Sequence, residues 1–144
     1  MSAAEDAGIL IVAAAGNDGG AVDYPAAYPG VIAVAATDRD RDNTAPYWSS
    51  RGDGEGDDEV ELAAPGVAVY STYKDGSYET LSGTSMASPH VAGSAALVWA
   101  AAPDVSANAT DVRTALTGGA KDLGDTGWDL VYGWGLVQPW GVAP

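Results

Sequence analysis

The sequence of 144 residues contains no cysteine, no phenylalanine and a single histidine. Without cysteine the chain forms no disulfide and no thiolate metal site. The absence of cysteine does not indicate whether the protein resides in an oxidising or a reducing compartment. No apolar run approaches the roughly 18 residues that a membrane span requires. The first six residues carry no basic side chain, so they do not form a signal peptide. These absences exclude disulfide-rich scaffolds and membrane-spanning proteins.

Basic residues are scarce: six Lys and Arg stand against 20 Asp and Glu, which gives a formal net charge of −14. This charge argues against nucleic acids and anionic membrane surfaces as partners. Hydrophobic residues make up 47 %, so the chain is not a disordered acidic tail. An aspartate-rich surface stays hydrated when salt screens its self-repulsion. We therefore expect a halophilic source; an ordinary acidic surface is the alternative.

Two continuous apolar runs, residues 9–14 and 31–36, predict strands buried on both faces, as in a parallel sheet. A further strand is expected to begin within residues 67–71. Residues 74–77 predict a hairpin turn that leads into a strand over residues 78–82. The segment 52–59 has no apolar side chain and is expected to be a solvated loop.

Helices are predicted in three places. Residues 1–7 end a helix that Gly8 stops. Residues 85–102 are apolar almost all round, which indicates a buried helix with Pro89 in its first turn. Pro103 ends it. A second helix, capped by Ser106, follows. Its apolar stripe and its final residue are Ala109, Val112, Leu116 and Gly118.

Residues 83–93 read GTSMASPHVAG and place Ser85 at the turn that opens the buried helix. A helix N-terminus offers unpaired N–H groups and a partial positive charge. A nucleophilic serine needs such an environment, because attack on a carbonyl creates an oxyanion nearby. The alternative is that Ser85 only caps the helix.

Asn17 ends the segment Ala-Ala-Gly-Asn, just past the carboxyl end of a predicted buried strand. Open α/β sheets bind ligands at this end of their strands. The Asn17 amide could therefore donate to the same oxyanion. Residues 133–137 read GWGLV and form a glycine-spaced packing element.

Together these motifs resemble the subtilisin-like serine proteases, the subtilases. The Gly16-Asn17 loop, Tyr24-Pro25, residues 63–66 and residues 133–137 follow in the order of that family, and the run from residue 70 to Ser85 is similar to its thermitase-like branch. The resemblance implies an α/β fold of three αβα layers with a mainly parallel sheet. It also implies that residues 1–144 are a C-terminal part of the catalytic domain.

The resemblance implies a role for each matching residue. Ser85 is the nucleophile, and Asn17 with the Ser85 N–H forms the oxyanion hole. Asp23 lies near the floor of the pocket for the residue before the scissile bond, which favours Lys or Arg there. Three further residues are expected to pair with the substrate backbone and to wall this pocket, namely Ala14, Ala15 and Gly16. The remaining substrate-binding residues are Gly83 and Thr84.

The family's triad runs Asp, His, Ser, and this chain has only the last member. No histidine and no Asp-Ser/Thr-Gly segment precede Asn17. His90 lies five residues after Ser85, roughly 140° round the helix and about 7.5 Å along it, so it is expected to be a packed helix residue and not the base. Activity is then expected to need a missing N-terminal half. The alternative is a catalytically inactive remnant or peptide-binding fragment.

The resemblance implies no cofactor for the chemistry, and a structural Ca²⁺ or monovalent cation beside residues 24–31. A solvated acidic face is the alternative. The expected partners are a polypeptide substrate and a complementing N-terminal half, since the apolar edge of residues 9–14 invites association. The resemblance also implies an extracellular location. The proposed cation ligands are carbonyls of Ala26, Tyr28 and Val31 with Glu59 or Glu61.

Overall fold

The computed structural model describes residues 2–54, 59–101 and 108–139. Its centre is a three-stranded parallel sheet in the order β1-β2-β3, and a separate antiparallel hairpin pairs β4 with β5. The α/β class and the parallel sheet are as predicted. The strands are β1 Ile11–Ala14, β2 Val31–Thr37, β3 Leu62–Pro65, β4 Val69–Thr72 and β5 Tyr78–Leu81, and the helices are α1 Ser2–Asp6, α2 Thr84–Ala101 and α3 Ala109–Gly118.

The middle strand β2 is buried at all seven residues, because it pairs with β1 at Ile11 and with β3 at Leu62. Strand β1 begins at Ile11, two residues later than expected, and is only half-buried. The expectation that it is buried on both faces is wrong, since β2 is its single neighbour in the described sheet. Strand β3 was not foreseen: its four residues, Leu-Ala-Ala-Pro, are too short for a periodic signal.

The two faces of the sheet are covered differently. Helix α2 packs on one face and α3 packs against α2, so that Ile32 and Leu62 share one buried core cluster with Val91 of α2 and Leu116 of α3. In the described part of the chain, the other face is covered by a loop around residues 22–27. One helical layer is therefore formed by these residues, and a loop lies where the predicted second layer would be.

Helix α2 buries a single face, which includes Val91, Ala95 and Val98, whereas Leu97 is 61 % exposed. The expectation of a helix buried all round is wrong for this chain. Pro89 is the sixth residue of α2, in its second turn rather than the first. Since proline has no N–H, the carbonyl of Ser85 lacks the intrahelical partner that residue 89 would supply.

Helix α3 buries Val112 and Leu116 of its predicted apolar stripe, while Ala109, the third residue of that stripe, is half-buried. Its cap is Asn108, whose side chain accepts from the Asp111 N–H at 3.0 Å. Ser106 and Pro103, the predicted cap and stop, lie outside the described residues.

The hairpin was predicted correctly in its turn and in its second strand, although its first strand begins only at Val69. Tyr70 stacks on Tyr78 across the two strands, with ring centroids 5.4 Å apart. Both tyrosines are largely exposed. Among the described helices, none is long and apolar enough to cross a membrane.

Candidate active site

The fold brings Asn17 and Ser85 together across 68 residues of sequence. Asn17 follows the carboxyl end of β1, and Ser85 is the second residue of α2. Both residues are exposed, whereas Gly83 and Thr84 between them are buried. The position before α2 is Gly83, and its carbonyl accepts from the N–H groups of Met86 and Ala87. Ser85 is therefore inside the helix and not its N-cap, which does not fit the alternative of a simple capping role.

Thr84 fixes the orientation of the Asn17 amide. Its N–H donates to Asn17 Oδ1 at 2.8 Å, and its hydroxyl lies 3.1 Å from the same oxygen. The Gly16 N–H donates to that hydroxyl at 3.2 Å. Because Oδ1 is held by donors, the NH₂ group of Asn17 stays available for another acceptor. Thr84 was expected to bind substrate; its side chain is fully buried, so it positions Asn17 instead.

Glycine at position 83 keeps open the space between two donors. A Cβ atom there would lie 3.7 Å from the Ser85 nitrogen and 3.8 Å from Asn17 Nδ2. Both nitrogens therefore border one small space at the start of α2. The Ser85 N–H belongs to the first turn of the helix, where N–H groups have no intrahelical partner. Two N–H donors that border one space are the groups from which an oxyanion hole is built.

His90 does not face Ser85. Its Nδ1 lies 2.8 Å from the carbonyl oxygen of Met86, one turn back along α2. The side chain is exposed, so the expectation of a packed histidine is wrong, while the expectation that it is not the base agrees with this contact. Within the described residues, Ser85 has no histidine as an activator.

Of the three residues expected to contact the substrate backbone, two have their own backbones engaged. The Ala15 N–H donates to Val34 O at 3.0 Å, and its carbonyl accepts from the Asp23 N–H at 2.8 Å. The Gly16 carbonyl accepts from the Ser50 N–H at 3.0 Å. Of the three, only Ala14 has its N–H and C=O directed away from β2, because these groups point to alternate sides along a strand. The expected backbone pairing therefore fits Ala14 and does not fit Ala15 or Gly16.

Two carboxylates lie near Gly16. A Cβ at position 16 would lie 2.4 Å from Asp23 Oδ2 and 2.6 Å from Ser50 Oγ, and the φ of 124° favours glycine there. Asp18 Oδ1 accepts from the Gly20 N–H at 2.8 Å and from the same Ser50 Oγ at 3.0 Å. These two hydrogen bonds, the first above all, lower the pKa of Asp18. Both aspartates are exposed.

Sequence reasoning missed Ser50 and Asp18. Ser50 is fully buried, yet it contacts the site through Gly16 and Asp18. Nothing in the local sequence marks it, because its partners lie more than 30 residues away. Asp18 follows Asn17 directly, and its position in the loop was the only available signal.

The predicted cation ligands are only partly free. Glu61 forms a two-bond ion pair with Arg113, with Nε–Oε1 at 2.6 Å and Nη2–Oε2 at 2.5 Å. This hydrogen bonding raises the pKa of Arg113. The Tyr28 carbonyl accepts from the Val31 N–H at 3.2 Å.

Glu59 is the second acidic candidate for the cation. Its Oε1 accepts from the Gly54 N–H at 2.7 Å, while its Oε2 is buried and has no hydrogen-bond partner among residues 2–54, 59–101 and 108–139. The described residues contain no group of three or more His, Cys, Asp or Glu side chains placed to hold a metal. The cation stays a prediction, and one of its two acidic candidates, Glu61, is already engaged by Arg113.

Comparisons with known proteins agree on one family. The Subtilase family model, Peptidase_S8, matches residues 1–135. Subtilisin DY of Bacillus licheniformis is 48 % identical over 124 residues, which cover 83 % of this chain and 42 % of the relative. Subtilisin Savinase of Lederbergia lenta is 43 % identical over 127 residues, which cover 88 % and 44 %. The chain thus spans less than half the length of these relatives.

Solved structures give the same result. The S41 psychrophilic protease superposes with a TM-score of 0.85 at 42 % identity, over 95 % of this chain and 50 % of that one. A lanthipeptide protease superposes with a TM-score of 0.83 at 27 % identity, over 98 % and 52 %.

Proposed function

Because the chain belongs to the subtilase family, we propose that it supplies the nucleophile and oxyanion hole of a serine endopeptidase. One observation carries the proposal: the Thr84 N–H holds Asn17 Oδ1 at 2.8 Å, which leaves Asn17 Nδ2 beside the Ser85 N–H. Preorganised donors of this kind stabilise charge that develops during acyl transfer. The exposed side chain of Ser85 lies next to them.

In the proposed reaction, Ser85 Oγ attacks the carbonyl carbon of a peptide bond and loses its proton to a base. The negative charge on the carbonyl oxygen is stabilised by the Ser85 N–H and Asn17 Nδ2. The C–N bond then breaks, the amine takes the proton from the base, and water hydrolyses the acyl-serine ester. His90 is held on Met86 O, so the base and its acidic partner come from a complementing part of the catalytic domain.

A fluorophosphonate probe tests this proposal. The chain is mixed with the part of subtilisin DY that lies outside the matched segment, and labelling is followed by mass spectrometry. We expect Ser85 to be labelled, and Asn17→Leu to slow labelling by about 10²–10³-fold, the magnitude known for the corresponding donor of subtilisin itself. Ser88→Ala is the matched control and should label like the wild type.

The alternative function is a catalytically inactive, peptide-binding subtilase remnant. It predicts no labelling of Ser85 with or without the complementing part. The absence of a base among the described residues favours this reading for the chain by itself. A peptide that binds the unlabelled mixture would then support the remnant and contradict the enzyme.

For the substrate we propose Lys or Arg before the scissile bond. Asp23 lies against Gly16, and Asp18 accepts a hydrogen bond from Ser50 Oγ, which also lies beside Gly16. Neither carboxylate is in an ion pair among the described residues. In the complemented enzyme, Arg peptides should be cleaved faster than Phe peptides, and Asp23→Asn should reduce that ratio. Equal cleavage of both peptides would contradict the proposal.

We also propose an extracellular, salt-adapted protein. Three ion pairs occur among the described residues, and two of them join exposed arginines to aspartates, so most of the acidic side chains in that part of the chain are in no ion pair. Salt screens such repulsion. Melting in low and molar KCl should show higher stability in salt, and an unchanged melting temperature would contradict the adaptation. Detection of the protein in the culture medium rather than the cell fraction tests the location.

A further inference from the structure

The start of α3 carries an acceptor motif for a covalent modification. Asn108, Ala109 and Thr110 form an Asn-X-Thr triplet in which the middle residue is not proline. N-linked oligosaccharides are attached to triplets of this kind on the surface of secreted proteins. The other two asparagines, Asn17 and Asn43, have neither Ser nor Thr two positions later. The sequence therefore contains one such motif.

The two side chains that define the motif are accessible. Asn108 and Thr110 are exposed, while Ala109 between them is half-buried. Asn108 is the N-cap of α3 and has an extended backbone, with φ −151° and ψ 175°. The motif thus lies at the surface where the chain enters the helix, and a surface position is what an oligosaccharide acceptor requires.

The two polar atoms of the Asn108 amide have different environments. Its Oδ1 accepts from the Asp111 N–H at 3.0 Å, and this atom must be the oxygen because a backbone N–H only donates. Within residues 2–54, 59–101 and 108–139, no hydrogen bond engages the Asn108 Nδ2. A glycan is attached through Nδ2 and leaves Oδ1 unchanged. The helix cap and a glycan are therefore compatible on the same side chain.

We propose that Asn108 is a modification site that carries an N-linked oligosaccharide. The donor is an oligosaccharide joined through phosphate to a membrane lipid. Nδ2 forms a bond to the anomeric carbon, the bond from that carbon to the phosphate oxygen breaks, and the lipid phosphate leaves with the electron pair. A base of the transferase takes one proton from Nδ2. The proposal rests on the extracellular location included in the proposed function, because this modification belongs to secreted proteins.

Peptide mass spectrometry of the protein from the culture medium is the direct test. The peptide that contains Asn108 should be heavier by one oligosaccharide, with fragments that place the sugar on Asn108. The peptide that contains Asn43, which lacks the motif, should have its unmodified mass and is the internal reference. An unmodified Asn108 in protein from the medium would overturn the proposal and leave the extracellular location intact.

Expression in a eukaryotic secretory pathway tests the acceptor separately from the natural location. The full chain enters that pathway behind an added leader, and the glycan is detected as a mass shift that peptide N-glycosidase removes. We expect the shift for the wild type and for Thr110→Ser, which keeps the hydroxyl that the motif requires. Thr110→Val removes this hydroxyl and should abolish the shift.

Two further variants separate the motif from the helix cap. Ala109→Pro breaks the triplet, yet Ala109 is the first helical residue of α3, where proline is well tolerated. Asn108→Ser removes the acceptor nitrogen and keeps a good capping side chain. Both variants should lose the mass shift completely. Made without glycan, both should keep the urea midpoint of the wild type, so that the loss is not caused by unfolding.

The outcomes distinguish this site from the other proposals. No mass shift of the wild type in the eukaryotic pathway, or a shift that persists in Thr110→Val or Ala109→Pro, would overturn the site. Native protein confined to the cell fraction would contradict the proposed location, and the eukaryotic result then decides the acceptor. Fluorophosphonate labelling of Ser85 does not depend on Asn108, so a failure of the enzymatic proposal is recognised separately.

Discussion

Two sides of this molecule have the same apolar character but differ in how well they are covered. On the closed side, which we define as β2, β3 and α3, all seven residues of β2 and the side chains of Leu62 and Leu116 are buried. On the open side, defined as β1, the outer face of α2 and the hairpin β4–β5, Leu97 and the hairpin tyrosines face solvent. Apolar side chains favour burial, but the elements packed beside them determine whether they are buried.

The candidate active site lies where the two sides meet. Asn17 follows the open edge strand, and Ser85 begins the helix whose inner face packs on the closed side. Thr84 joins them by hydrogen bonds to Asn17 and Gly16. Asn17 and Ser85 are therefore positioned relative to each other by contacts within this chain.

The largest expected effect is the loss of stability when a buried leucine is truncated, compared with the truncation of an exposed leucine. Leu62→Ala removes a fully buried side chain from the closed side and should lower the free energy of unfolding by about 2–5 kcal/mol. Leu97→Ala removes the same atoms from the open side and should change it by less than about 0.5 kcal/mol. Urea denaturation measures both. Equal losses would mean that the open side is covered in solution.

The next effect concerns the junction between the two sides, which we define as the hydrogen bonds of Thr84 to Asn17 and Gly16. Thr84→Val keeps the shape of a fully buried side chain but deletes the hydroxyl that bonds Gly16 and Asn17. The unsatisfied partners should cost about 1–3 kcal/mol of stability. Thr80→Val, on the exposed hairpin, is the matched control and should be nearly neutral. An unchanged denaturation midpoint for Thr84→Val would show that the junction is held by other contacts.

A smaller effect separates two ion pairs. A double-mutant cycle with Glu61→Gln and Arg113→Met should give a coupling energy of about 1–2 kcal/mol, since this two-bond pair is only a third exposed at the arginine. The same cycle on Arg39 and Asp40, both about four-fifths exposed, should give less than about 0.5 kcal/mol. Similar coupling energies for the two pairs would mean that partial burial does not strengthen the pair between Glu61 and Arg113.

The smallest effect is a titration at the site. The pKa of Asp18 should lie below the ordinary value of 3.8, because the Gly20 N–H and Ser50 Oγ donate to its ionised form. A lowered folded pKa stabilises the fold above the unfolded pKa, and that contribution is lost as pH falls through the folded value. Ser50→Ala should move the Asp18 midpoint upward in a carboxyl-detected NMR titration. A midpoint that does not move would show that the Ser50 hydroxyl does not stabilise the ionised form of Asp18.

The sequence predicted the elements with long or strongly punctuated signals. The strand at residues 31–36, the helix that begins near Ser85 and the helix with Val112 and Leu116 on one face are present in the structure. Strand β3 was missed because four residues show no period. The cap at Ser106 lies outside the described residues, and Asn108 occupies the capping position.

The family and the motif around Ser85 were readable from sequence alone, because a helix-opening serine in a long specific motif needs no tertiary information. Only the tertiary structure decided that Thr84 orients Asn17, that Ser50 lies between Gly16 and Asp18, and that Arg113 engages Glu61. It also decided which apolar surface is buried. The physical reason is the same in each case: hydrogen bonds and burial depend on partners more than 30 residues away, and local sequence does not specify those partners.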